Sequence, residues 1–467
     1  MVLKTFTLLG LAAAAAVARV QFLGVAISGG DFGCETDGSC PLGKVRLPLS
    51  SLGGGDGEGQ MNHFVQTSKL NMFRLPVSWQ FLVNNQPGGE LDANNFGRYD
   101  QVVQTCLATG AHCMVDIHNF ARWDGGVIGQ GGPTDDQFAS LWTQLARRYR
   151  ADERVVFELM NEPRDLDVAL WAATCRKAVA AIRRAGAASQ TILLPGITDL
   201  DSAESFVAGG SADALAAVTN PDGSTDNLVL DLHRYLDEDN SGTHKPCTTD
   251  NVESFRAVAE FLRSKGRKAL VSETGASNDA SCFTRFCAQN TFINQNSDVF
   301  IGLVGWAAGS FDTDDYVFSL TPKKSGDGGY ADNELMRQCV LDTWANAEQN
   351  VSVPVPAPVP VPAPSESRSQ PAVSAMPTKA SRSAPTAIPV TAPASSEEQG
   401  IAPPSIIVSM PTTLLVDPST PTPPTPTGLR RNGTTTTGQP SVPTAAGSRM
   451  EMVGTCLGLG LVLALVL

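Results

Sequence analysis

The chain of 467 residues has room for roughly two or three domains. Its formal charge of −13, with no concentrated basic stretch, excludes a polyanion such as nucleic acid as partner and leaves a neutral polymer acceptable as substrate. Up to about Gln349 the sequence mixes apolar, charged and aromatic side chains as a large-cored globular enzyme does, and beyond that point it does not.

Met1-Val2-Leu3-Lys4 leads into an apolar, alanine-rich run ending in small residues near Ala18. The pattern predicts a secretory signal peptide over 1–20, cleaved around Ala18 to Val20, and hence an exported protein. Ten cysteines suit an oxidising compartment. Cys34, Cys40, Cys106, Cys113, Cys247, Cys282, Cys287 and Cys339 suffice for four bridges, whose connectivity the spacing leaves open. Cys175, in a helical stretch, and Cys456, in the tail, are expected to stay unpaired, Cys175 as a buried inert thiol.

From Phe22 the chain alternates apolar runs of strand length with helical periodicity. Strands are predicted over Phe22 to Ser28, Met72 to Val77, His112 to His118, Val155 to Met160, Thr191 to Pro195, Asn227 to His233, Lys268 to Glu273 and Val299 to Trp306. Helical stretches between them include Gln137 to Tyr149, Leu170 to Ala185 and Val252 to Lys265. Mostly apolar strands alternating with helices indicate a parallel sheet covered on both faces, and eight of them fit an α/β (β/α)8 TIM barrel over 21–349. A doubly wound open sheet is the competitor, but no glycine-rich phosphate loop follows the first strand. Gly53-Gly54-Gly55-Asp56-Gly57 has no strand-then-helix context and reads as a flexible turn.

From about Val351 the composition turns to Pro, Ser, Thr, Ala and Val, which cannot bury enough apolar surface to offset ordering entropy. A disordered, glycosylated Pro/Ser/Thr-rich stalk is expected over 350–447, with N-glycan sequons at Asn350 and Asn432. Within the tail, 448–467, the apolar stretch Met452 to Leu467 is short for a membrane span. Small residues at Ala445-Ala446-Gly447-Ser448 precede it, so it reads as a glycosylphosphatidylinositol (GPI) anchor signal, with attachment there or nearer Ser441.

Active sites of (β/α)8 barrels lie at the C-terminal strand ends, and polar residues collect there: Arg74 on the second strand, His118 and Asn119 on the third, Asn161 and Glu162 on the fourth. His233 and Tyr235 follow on the sixth, Glu273 on the seventh and Trp306 on the eighth. Any one of these is explained by packing or ion pairing; two carboxylates, two histidines and an arginine together are not. His112, earlier in its strand, is read as structural.

The stretches Asp31-Phe32-Gly33-Cys34, Phe73-Arg74-Leu75-Pro76-Val77, Val115-Asp116-Ile117-His118-Asn119, Met160-Asn161-Glu162-Pro163, Asp231-Leu232-His233-Arg234-Tyr235 and Val304-Gly305-Trp306 resemble glycoside hydrolase family 5, in particular its secreted fungal endo-β-1,4-glucanases. The resemblance implies Glu162 as general acid/base and Glu273 as nucleophile of a retaining mechanism, which needs its carboxyls about 5 Å apart. It further implies Arg74 and Tyr235 as hydrogen-bond partners of Glu273, Asn161 at the sugar 2-hydroxyl, His233 beside Glu162, His118 at the cleavage subsite and Trp306 as stacking floor. No metal or cofactor is implied, the substrate is a β-glucan, and the protein is expected to be a monomer held at the fungal cell surface. Two positions depart from the family: Thr198-Asp199-Leu200-Asp201 stands where relatives carry a loop tryptophan, and Arg164 where they carry histidine. Trp79 and Trp123 are candidate sugar platforms, with packing as the other reading of each. Without a cellulose-binding module, soluble or amorphous glucan is expected over crystalline cellulose. Competing readings are an endo-β-mannanase, a β-1,3 or mixed-linkage glucanase, a wall-remodelling transglycosylase, and a non-catalytic carbohydrate-binding wall protein.

Overall fold

Every one of the eight apolar runs forms a strand: β1 (Phe22–Ser28), β2 (Met72–Val77), β3 (His112–Ile117), β4 (Val155–Glu158), β5 (Ile192–Pro195), β6 (Leu228–Tyr235), β7 (Ala269–Gly275) and β8 (Phe300–Gly309). The computed structural model describes residues 19–196, 203–311, 316–326 and 328–347. The predicted signal peptide up to Ala18, the stalk, the tail, both sequons, Cys456 and the Thr198 to Asp201 loop lie outside them. Neighbouring strands pair in parallel, and β1 pairs with both β2 and β8, which closes the (β/α)8 barrel and removes the open-sheet alternative.

The helices follow from patterning and caps: α1 (Gly57–Gln66), α2 (Ala93–Ala108), α3 (Asp135–Tyr149), α4 (Val168–Arg184), α5 (Ala203–Ala208), α6 (Ser211–Ala216), α7 (Val252–Lys265), α8 (Ala280–Gln295) and α9 (Asp342–Asn346). In α3, Phe138, Leu141, Trp142 and Leu145 give one buried face, Thr134 and Gln137 form a capping box, and Asp135, Asp136, Arg147 and Arg148 complement the helix dipole. Thr134 places the start two residues before the predicted Gln137, because the first turn is fixed by the cap and not by the apolar period.

The core has two bodies. One fills the space between strands and helices. The other lies inside the barrel and takes one residue from each strand: Phe22, Met72, Met114, Val156, Leu193, Val229, Leu270 and Val304. Strand side chains alternate, so two residues further along come Arg74, Asp116, Glu158, Asp231 and Ser272, buried in a polar layer above the apolar plug.

The Gly53 to Gly57 segment is not the flexible turn its composition suggests. A Cβ on Gly54 would overlap the Leu47 carbonyl oxygen and one on Gly55 that of Gly309, so these glycines let backbone approach backbone. Asp56 then caps α1 by accepting from the Gly59 amide.

Four disulfides form: Cys34–Cys40, Cys106–Cys113, Cys247–Cys282 and Cys287–Cys339. Cys282 and Cys287 lie five apart on α8 and project roughly 140° from each other, so each bonds a different segment. Cys175 is buried and unpaired, and burial pushes its thiol far above its ordinary value, as expected for an inert group. The Cys287–Cys339 bridge spans 52 residues and Cys106–Cys113 spans 7. Loop-closure entropy gives about 4 kcal/mol for the first and about 2.5 kcal/mol for the second. Calorimetry should therefore find a larger loss of Tm when both Cys287 and Cys339 become serine than when Cys106 and Cys113 do.

Candidate active site

Arg74 is the third residue of β2 and not its end; it lies in the polar layer and is fully buried. Its guanidinium donates to Glu158 through Nε (2.7 Å) and Nη2 (2.6 Å), to Asn161 Oδ1 at 2.8 Å, and through Nη1 to Glu273. Asp116 Oδ2 lies 2.8 Å from Nη2 and 2.8 Å from His118 Nδ1. One arginine thus ties β3, β4 and β7 together under the mouth of the barrel.

Above this layer the mouth is built by two irregularities. In β7, His233 pairs with Glu273 where Leu232 pairs with Val271, so Ser272 is an extra residue in the ladder. The bulge turns two consecutive side chains inward: Ser272 donates to Asp231 beneath, and Glu273 accepts from Arg74 and, at 2.7 Å, from the Tyr235 hydroxyl. At the end of β4, Glu162 has φ +39°, a left-handed conformation costing about 1–3 kcal/mol, which lifts its carboxylate into the cavity ahead of Pro163. His233 Nδ1 lies 3.1 Å from Glu162 Oε1. One oxygen of Glu162, one of Glu273 and a ring nitrogen of His233 all lie within 4.8 Å of one another.

Electrostatics follow from crowding. For His233, burial opposes the charge, but Glu273, Glu158 and Glu162 outweigh it and hold the imidazolium well above its ordinary range. His118 is likewise raised, against burial, by Asp116. Burial pushes Glu162 up, yet its bond to His233 prevails and leaves the carboxyl below its ordinary value. Glu158 is also lowered, Arg74 overcoming burial. Burial raises Asp116 to about 6 and, with Glu158 beside it, Asp231 to about 8.

The cavity over these groups measures about 450 Å³ and is lined by His118, Asn161, Glu162, His233, Tyr235, Glu273 and Trp306, together with Arg164. Of the eight predicted residues only Arg74 is withdrawn from it, acting one layer below. Trp306 donates Nε1 to the Tyr316 hydroxyl at 2.7 Å and stacks against His118 with ring centroids 5.6 Å apart. Both His118 and Trp306 also line a second cavity, about 580 Å³, with Phe32, Lys44, Arg46 and Phe311. The two cavities therefore adjoin at His118 and Trp306. Asn119 faces away, accepting from the Trp79 amide and bonding Gln80. Trp79 is no platform: it is completely buried, with Trp123 packed edge-on at 5.2 Å.

Three clusters have cation-ligand spacing among the described residues. Two share His233 with Glu158 and Asp231, or with Glu162 and Glu273, and there the charged imidazolium supplies the positive charge. In the third, Asp237, Asp239 and His244, Asp237 accepts the Thr243 and His244 amides and so folds the loop after β6.

Sequence reasoning missed Asp116, Glu158 and Asp231. The signal was present: each is a lone charge inside an apolar strand, two or four residues before a mouth residue and so on the same face.

A closed (β/α)8 barrel with two facing carboxylates at its C-terminal mouth is the architecture of a glycoside hydrolase. Residues 41–312 match the cellulase family, glycosyl hydrolase family 5, and the chain belongs to that family. It is 54% identical over 326 residues to endoglucanase EG-II of Hypocrea jecorina, covering 69% of this chain and 77% of that one. Endoglucanase 1 of Saitozyma flava is 44% identical over 306 residues, 65% of this chain and 86% of its own. The crystal structure of Cel5A (EG2) from Hypocrea jecorina superposes with a TM-score of 0.67 at 53% identity, covering 69% of this chain and 99% of that chain. XacCel5A in complex with cellopentaose superposes with a TM-score of 0.60 at 29% identity, over 68% and 97% of the two chains.

With Asp231 near 8 when folded and about 3.9 when unfolded, the native state binds the extra proton between those values. Stability therefore falls as pH rises through that window. Asp231→Asn should show a smaller drop in Tm between pH 5 and pH 8 than the parent; an equal drop in both proteins, by calorimetry, would contradict the assignment.

Proposed function

We propose that the protein is a retaining endo-β-1,4-glucanase in which Glu162 is the general acid/base and Glu273 the nucleophile. The observation that carries the reading is the carboxylate oxygens within 4.8 Å. Retaining enzymes hold these groups about 5–5.5 Å apart, whereas inverting ones separate them by about 6.5–9.5 Å to admit a water. The endoglucanase relatives support β-1,4-glucan over mannan or β-1,3-glucan. A second cavity adjoining the first at His118 and Trp306 supports attack within a chain and not only at its end.

In the first step Glu162 delivers a proton to the glycosidic oxygen while Glu273 attacks the anomeric carbon, giving a glycosyl-enzyme. Water, deprotonated by Glu162, then releases the sugar. His233 keeps the proton 3.1 Å from Glu162 in the free site, and protonation of the leaving oxygen draws it through that carboxyl. Arg74 and Tyr235 fix the attacking carboxylate from two sides. Asn161, its Oδ1 held by Arg74, presents its amide to the sugar 2-hydroxyl, His118 binds the sugar at the cleavage subsite, and Trp306 floors it. Arg164, lining the same cavity, stands on the acid/base side and serves the leaving-group sugar.

Export completes the proposal. The signal peptide 1–20, the glycosylated stalk 350–447 and the GPI signal 448–467 would display the catalytic domain 21–349 at the cell surface as a monomer. Four disulfides support an oxidising compartment. Arg19, stacked 4.0 Å over Trp344, and the buried Val20 support cleavage just ahead of them.

Incubation with carboxymethylcellulose, mannan, laminarin and mixed-linkage glucan should yield new reducing ends chiefly from the β-1,4-glucan; turnover of mannan alone would overturn the assignment. Glu273→Ala should lose at least about 10⁴-fold in kcat, with azide restoring part of the rate and yielding a glycosyl azide. A phosphatidylinositol-specific phospholipase should release the protein from membranes, and retention would argue against the anchor.

A further inference from the structure

Glu158 lies at the end of β4, four residues before Glu162, and is completely buried. Its two oxygens accept a bidentate pair from Arg74, Oε2 from Nε at 2.7 Å and Oε1 from Nη2 at 2.6 Å. Oε1 also lies 3.6 Å from His233 Nε2. That nitrogen makes no hydrogen bond, and at this separation a proton on it interacts with Glu158 through charge. The opposite ring nitrogen faces Glu162 at 3.1 Å and Glu273 at 3.9 Å.

We propose that Glu158 is a positioning residue that couples the two halves of the site: it holds the Arg74 fork against Glu273 and presents the same oxygen to the His233 ring that serves Glu162. The inference rests on the glycosidase reading of the cleft. Its force comes from what happens to the other charges during the reaction. When Glu273 forms its bond to the anomeric carbon, the ester carries no charge, and Arg74 and His233 both lose an anionic partner. Glu158 touches neither sugar nor water and stays anionic through both steps, so the two cations keep a fixed counterion. The remaining groups facing this pair do not replace it. Asp116, from β3, is shared with His118. Asp231, from β6, spends its hydrogen bond on Ser272 and is raised toward neutrality by burial. Tyr235, from β6, is a hydroxyl donor to Glu273, and Arg164, after β4, is itself a cation, acting on Glu162.

The test compares the unaltered enzyme with Glu158→Gln and Glu158→Asp on two aryl β-cellobiosides, one with a dinitrophenyl leaving group that needs no acid and one with phenol that does. Glu158→Gln should lower kcat at least about tenfold on both, through the loosened Arg74. On the phenyl substrate the alkaline limb of kcat/KM should also move down by about one pH unit or more, because the shared proton of His233 and Glu162 loses a nearby anion. Glu158→Asp, which keeps the charge, should restore most of the limb while recovering less of kcat. A carboxylate with a merely structural role would lower activity without moving the limb, and an unmoved limb in folded Glu158→Gln overturns the proposal. Carbon-13 NMR of labelled histidine gives a second readout that does not depend on turnover: the His233 ring should titrate lower in folded Glu158→Gln than in the unaltered protein and recover in Glu158→Asp, and an unchanged titration in folded Glu158→Gln overturns the proposal. Absence of turnover by the unaltered enzyme would instead strike the glycosidase reading, and the difference in His233 titration between the unaltered protein and the Glu158 variants would still decide the role of Glu158.

Discussion

One completely buried guanidinium, that of Arg74, organises the rest of the site. A cation in a protein interior is stable only where anions and hydrogen bonds replace its water, and here Asp116, Glu158, Glu273 and the Asn161 oxygen do so. Those partners come from three strands, so the charge requirement of one side chain fixes the relative positions of the others. The balance is close. Arg74, His118 and His233 face Asp116, Glu158, Glu162 and Glu273, and the extra acid, Asp231, is relieved by being pushed up to about 8. Ionised, Asp231 would be a fifth anion facing three cations in this volume and would cost several kcal/mol.

The barrel makes this cluster affordable in structural terms by stacking it. An apolar plug of one side chain per strand closes the bottom, the charged layer sits on it, and the reactive pair opens to solvent above. The groups that meet substrate are thus held by buried groups beneath them. Glu158, Glu162 and Glu273 lie 3.6, 3.1 and 3.9 Å from His233, so a change of charge on any one of them is felt by that ring.

Much of this was legible in one dimension. Mostly apolar strands alternating with amphipathic helices gave the parallel barrel, and residues such as His118, Glu162 and Trp306, after those runs, gave the mouth. Strand ends moved by a few residues, as at β6, which continues through Tyr235, because hydrogen-bond partners and not composition set where pairing stops. The misreadings share a cause. Local sequence leaves Trp79 open between platform and packing and makes the Gly53 to Gly57 turn look flexible, because neither burial nor the approach of a neighbouring carbonyl is written in it. Asp116, Glu158 and Asp231 went unread because a charge inside an apolar strand has meaning only once the arginine it surrounds is known.

Sequence by itself determined the class of chemistry, since a pair of glutamates at the ends of parallel strands can hardly be spent on packing. It also determined the inventory of bridges, eight cysteines for four disulfides, though not their pairing. Tertiary structure decided the geometry that makes the pair reactive. By strict alternation from Leu270, Ser272 points into the barrel and Glu273 points out; the extra residue in β7 turns Glu273 back inward to meet Arg74 and Tyr235. The left-handed turn at Glu162 does the same on the opposite wall. Alternation is a local rule and is read from the chain, whereas a bulge exists only between two strands, so the facing of the two carboxylates is a property of the closed barrel and of no segment within it.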